Sequence, residues 1–253
     1  MKTLFSATSV AALLSVLVLG QASVDQAQLA QALTNGTDEE RVAAAAAILA
    51  IAPEAREPWV RIALTQELDR YRRDLEVRRL ALVSGQPLPP ARDEGEYLFQ
   101  LLSALSQDED PIVLSSLIPF IGTGNRVINA VAAFGELAVQ DVVAITATDT
   151  GDTGLALLTL QRMLEGPVRS PLSSDSKQRI VTAVAARLKG HQPVGVVMVA
   201  VDLAVATMDA SLLLRVQELA TSATELQSLG VPEDRTAMMQ NRAKAALEAK
   251  GLR

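Results

Sequence analysis

Three segments of this chain spell nearly the same phrase: RVAAAAAIL at 41–49, RVINAVAAF at 126–134 and RIVTAVAAR at 179–187. Each opens on an arginine and a β-branched residue and runs into an alanine-rich stretch. A repeated phrase of this kind marks a supersecondary unit that cannot bury its apolar face alone and must stack against its neighbours. At a helical period Val127, Val131, Phe134 and Ala138 share one face, and Ile180, Val184 and Leu188 do the same in the third copy. Ala130, Ala132, Ala133, Ala183, Ala185 and Ala186 widen that stripe without adding bulk, so each helix can be sandwiched on two sides. Composition agrees: 49% of residues are hydrophobic but only 3% are aromatic, so the core has to be built from Ala, Leu, Val and Ile in closely approaching helices.

Helix-start chemistry precedes each copy. Thr37 and Glu40 have the capping-box spacing, Thr123 or Asn125 can cap the second copy, and Ser173, Ser174 or Asp175 the third. An apolar stretch lies ahead of each: 28–33, 113–122 and 155–166. The expected unit is helix, short polar turn, helix, and the expected fold class is all-α.

At these residues the chain resembles the HEAT-like repeats of α-solenoids. Pro119 resembles the proline of that family's first helix, Asp38 and Asp175 its turn acid, and Arg41, Arg126 and Arg179 the basic residue opening its second helix. The resemblance implies an array of antiparallel helix pairs in which a turn Asp of an adjacent unit compensates each arginine. Compensation is needed because a cation in the first turn of a helix opposes the helix dipole. The spacing departs from a regular array: Asn125 precedes Arg126, Arg187 stands where Leu49 and Phe134 stand, and the copies are unevenly separated.

The remaining segments divide the chain. Residues 1–22 carry Lys2, an apolar run from Val10 to Leu19, and Gly20 and Ala22 at the places a signal peptidase reads, which predicts a cleaved signal peptide and an extracytoplasmic protein, periplasmic or secreted. The alternative is a retained membrane anchor, although the run is shorter than the ~20 residues a spanning helix needs. Residues 23–83 read as N-terminal helical repeats ending in a long helix from about Glu57 to Val83, with Asp69 and Arg73, and Asp74 and Arg78, at ion-pair spacing. Residues 84–96, rich in Pro and Gly, read as a loop or hinge. Residues 97–253 read as HEAT-like repeats, with 194–208 too short to span a bilayer and a C-terminal helix, with Pro232 at its start and Gly251 at its end, capping the array.

Several positions carry side chains capable of chemistry. The single histidine, His191, has no second His or Cys with which to build a zinc site, and the chain has no cysteine at all, hence no disulfide or thiolate nucleophile. Ser174 and Lys177 have S-x-x-K spacing, but the companion motifs of serine-active penicillin-binding enzymes are missing, so they read as a helix start. Gly122 to Asn125 lacks phosphate-loop spacing. The acids at 38–40, 108–110 and 149–152 lack the calcium-loop pattern, and Asn35 to Thr37 is a formal glycosylation sequon that reads as a turn. No catalytic, cofactor-binding or metal-ligating residue is assigned, and no cofactor is expected. A formal net charge of −6 argues against nucleic acid as a partner. The expectation is an exported, non-enzymatic protein-binding or scaffolding module with a protein partner. The alternatives are an envelope hydrolase or lyase with carboxylates gathered in a helical cleft, and a self-associating structural protein of the envelope.

Overall fold

The computed structural model describes residues 25–87 and 94–252. The signal peptide expected at 1–22 and the middle of the loop expected at 84–96 therefore lie outside the described residues. All regular structure among the described residues is helical, as the repeated phrases require. No helix among them is long and apolar enough to cross a membrane. The chain divides into two compact units, 1–116 and 117–253.

The first unit holds α1 (Gln26–Asn35), α2 (Asp38–Leu49), α3 (Pro58–Val83) and α4 (Glu94–Ser106). Asp25 caps α1 by accepting from the amides of Ala27 and Gln28, and Thr37 and Glu40 form the reciprocal box at the start of α2. Pro58 opens α3, where a missing N–H costs nothing. α1 packs on α2 and α3, and α4 packs on α2 and α3. Leu29, Leu33, Ile48, Leu64, Leu68, Leu101 and Leu105 are fully buried between them, each contributing roughly 2 kcal/mol of hydrophobic stabilisation.

Polar ties set the directions of these helices. Gln26 donates to the Ala55 carbonyl and accepts from the Glu57 amide, both at 2.8 Å, so α1 and α3 start together. Arg56 donates to the Ile51 carbonyl just past α2 and to the Ala104 carbonyl in the last turn of α4, at 3.1 and 2.7 Å, so α2 and α4 end together. Parallel helices thus touch as neighbours: α1 on α3 and α2 on α4. In an up-down-up-down bundle the parallel helices lie on the diagonals instead. Within this unit two helical hairpins are stacked one on the other.

A buried polar knot joins α3 to α4. Glu67 accepts from the Tyr97 phenol at 2.6 Å and from Nε and Nη2 along one edge of the Arg70 guanidinium. Burial and the bond to Glu67 push the Tyr97 phenol far up, so it stays protonated as the donor. Arg70 also reaches Asp74 at 3.6 Å, and beyond it residues 72–77 are exposed, the solvated face expected of this helix.

The second unit contains α6 (Asn125–Ala133), α7 (Glu136–Thr146), α8 (Thr153–Glu165), α9 (Ser174–Arg187), α10 (Val194–Thr207), α11 (Ala210–Thr221), α12 (Ala223–Ser228) and α13 (Glu233–Ala249); the one-turn α5 (Leu114–Leu117) leads into it. α7 and α8 form one hairpin and α9 and α10 the next, with α7 packed on α9 and α8 on α10. Glu136 binds Ser173 at the starts of α7 and α9, and Arg187 binds the Thr146 carbonyl at their ends, so these two also run parallel. α13 packs on α10, α11 and α12. Asp202, the one charge inside the apolar 194–208 stretch, pairs with Arg242 of α13.

Three expectations from the sequence are corrected. The apolar stretch 113–122 is not one helix but a 3-10 turn, the single turn α5 and a second 3-10 segment (Ile118–Thr123), because Pro119 removes a ladder donor and Phe120 leaves helical geometry. The face counted from Val127 to Ala138 spans two helices. Gly135, at a φ of 58°, breaks them, and a Cβ there would strike the Ser170 carbonyl, since segment 166–173 lies across this turn. Finally, α8 does not form a hairpin with α9 as the reading of 155–166 and 179–187 implied: it pairs with α7, and the 166–173 crossing carries the chain to the start of the next hairpin.

Candidate functional site

The third copy of the phrase, α9, forms one wall of an open groove of about 970 Å³ in the second unit. Ile180 and Val184 are fully buried on the core side of α9, and this fixes the opposite register. Asp175, Gln178, Arg179, Thr182, Ala183 and Ala186, at helical spacing, consequently line the groove. Val143 and Ala147 from the end of α7 and Pro193 and Val196 from the start of α10 supply the rest of the apolar floor. The rim is polar: Asp149, Thr150, His191 and Gln192 come from the loops that follow α7 and α9.

One end of the groove is built around Arg187, which is 8% exposed. It donates to the carbonyls of Thr146 and Thr148 at 2.7 and 3.0 Å, to Asp149 at 2.8 Å and to Gln192 at 3.1 Å. A positive charge on the terminal carbonyls of α7 answers both their missing partners and the negative end of the helix dipole. The rim loop is anchored further by the Gln192 amide, which donates to the Leu229 carbonyl at 2.8 Å. His191 is exposed and lies flat against Gly230, where any Cβ would sit 2.7 Å from the ring.

At the start of α9, outside the groove lining, Glu136 accepts from the Ser173 amide and hydroxyl at 2.8 and 2.9 Å and from the Ser176 hydroxyl at 2.8 Å. The Ser173 amide first, then the two hydroxyls, hold its carboxyl below the usual carboxylate range, with Arg179 adding a small electrostatic pull. Arg179 itself makes no hydrogen bond or ion pair with any described residue. Arg41, its counterpart in the first copy, is fully engaged: it donates to the Leu33 and Thr34 carbonyls and pairs with Asp38 at 3.2 Å. Its compensating acid therefore comes from its own helix, three residues back, and not from an adjacent unit.

Of the positions picked out in the sequence, the groove gathers His191, Asp149, Asp175 and Arg179. Ser174 and Lys177 stand exposed in the first turn of α9, where Ser173 is the cap. Gly122 to Asn125 forms the turn into α6, with the Asp152 side chain lying against Gly122. In the first unit Asp108 is buried and bound to Arg61 at 2.8 Å, while Asp110 caps the 3-10 turn that follows it. Asn35 is the exposed last residue of α1, and Thr37 caps α2. No group of three or more His, Asp or Glu residues among the described residues is placed to hold a metal ion. Sequence reasoning missed Arg187 and Gln192; the only signal was that Arg187 replaces the apolar residue ending the other two phrases.

No protein-family model, no curated protein and no solved structure matches this chain.

Proposed function

We propose that the protein is an exported, non-enzymatic protein-binding module built from HEAT-like helix pairs, and that its partner is seated in the groove along α9. The observation that carries this reading is the groove itself, with its Ala and Val floor, polar rim and well-braced end at Arg187. A site of this size, apolar at its floor with a few convergent polar groups, has the form of a recognition surface. The stacking of parallel neighbours within each unit supports the HEAT-like reading, as do the three phrases on α2, α6 and α9. The leader-like composition of residues 1–22 supports export.

The reading is tested by affinity capture from the extracytoplasmic fraction of the source cells, comparing the wild type with Ala186→Trp. Ala186 is exposed in the groove, so the indole fills the site without disturbing the core. The expected result is a saturable protein partner that the wild type retains and Ala186→Trp loses. Retention of the same partner by both would refute the groove as the binding site.

A further inference from the structure

We infer that Arg179 anchors a carboxylate of an extended peptide laid along α9; this rests on the binding function proposed above. The argument is a comparison within the molecule. In the first copy of the phrase the arginine is consumed by structure: Asp38 lies three residues before Arg41, and the end of α1 presents two carbonyls to it. In the third copy both sources are gone. Ser176 occupies the place three residues before Arg179 and gives its hydroxyl to Glu136, and the preceding helix, α8, packs elsewhere, so no helix end offers carbonyls. Of the neighbouring acids, Glu136 spends its oxygens on Ser173 and Ser176, and Asp175, one helical turn before Arg179 in the same lining, makes no ion pair with it. A guanidinium with its donors unspent, standing in a groove, is matched to a carboxylate, which it can grip with two parallel bonds.

The rest of the lining selects the ligand class. The Gln178 side-chain amide offers a neutral donor and acceptor and the Thr182 hydroxyl, which donates to the Gln178 carbonyl at 2.9 Å, keeps acceptor capacity, both suited to a peptide backbone, while Ala183, Ala186, Val143 and Val196 leave room for small apolar side chains. The lining lacks the phenyl or indole faces on which a sugar or a nucleobase would stack. From Asp175 to Ala186 the groove follows α9 for about 16 Å, which is about five residues of extended chain. At the far end Arg187 is paired with Asp149 at 2.8 Å and bound to carbonyls, so Arg179 is the arginine of this lining whose donors are unspent.

Three pools of N-acetylated random pentapeptides, measured against the full chain, test this: one with free C-terminal carboxyls and no internal acid, one of C-terminal amides with a single Asp or Glu, and one of amides without any acid. At least one acid-bearing pool should bind about tenfold more tightly than the acid-free pool. Arg179→Ala should erase that difference, Arg179→Lys should restore part of it, and Ala186→Trp should abolish binding of every pool. Which acid-bearing pool prevails identifies the carboxylate as a chain terminus or a side chain. Equal binding of all three pools, or no effect of Arg179→Ala, overturns the anchor while leaving the groove in place so long as Ala186→Trp still blocks it. Failure of every pool to bind overturns both the anchor and a peptide-binding groove.

Discussion

Two arginines do the same work in different places. Arg56 and Arg187, 2% and 8% exposed, each reach across to the carbonyls at the end of a neighbouring helix and hold the stacked pair in register. Burial pushes the Arg56 guanidinium downward and Asp108 opposes it, so the ion stays charged where its carbonyl partners need it. Arg187→Met should keep most of the apolar stem but strand the carbonyls of Thr146 and Thr148. A loss of about 3 kcal/mol in urea unfolding is the expected outcome, and a loss below about 1 kcal/mol would show that water replaces the guanidinium without cost. Arg187 was visible in the sequence only as an exception to a repeated phrase. Its partners Thr146, Thr148 and Asp149 lie about forty residues away, and no local pattern points to them.

At the scale of elements, the helices were legible wherever periodicity and caps agreed. α2 with its Thr37 and Glu40 box, α3 from Pro58 to Val83, α9 after Ser173 and α13 up to Lys250 form as their residues dictate. Where apolar periodicity ran through Pro119 or Gly135 it misled, because backbone geometry overrides the pattern at those two residues. Pairing was less legible than existence: α8 packs on α7 and α10, and the 166–173 segment crosses the turn between α6 and α7 instead of closing a hairpin onto α9. Glu136 clamps the start of α7 to that of α9 and carries a pH signature. Its carboxyl is held below the ordinary value, so its contribution is present at neutral pH and is lost as pH falls through the lowered value. The thermal midpoint of the wild type should exceed that of Glu136→Gln at pH 7, and the two should converge as the solution is acidified through the lowered value. A gap that stays constant over that range would mean that Glu136 is not the titrating clamp.

On the scale of the whole molecule, the all-α class followed from the alanine-rich phrases and the near-absence of aromatics, but the groove did not. It arises because α7 and α9 run parallel and end together, which brings Asp149, Thr150, His191 and Gln192 from two loops to one rim. Residues this far apart in the chain share a site only through the stacking of hairpins, so the third phrase announced a helix and not the surface it would build. The core amides of α9 are already hydrogen-bonded and slow to exchange, whereas those of the rim loops are not protected by a helix. Hydrogen–deuterium exchange on the full chain with and without its captured partner is therefore the most direct test of the binding groove. Slowed exchange concentrated in residues 147–153 and 189–193 is the predicted result, and protection confined to the first unit, with these loops unchanged, would contradict it.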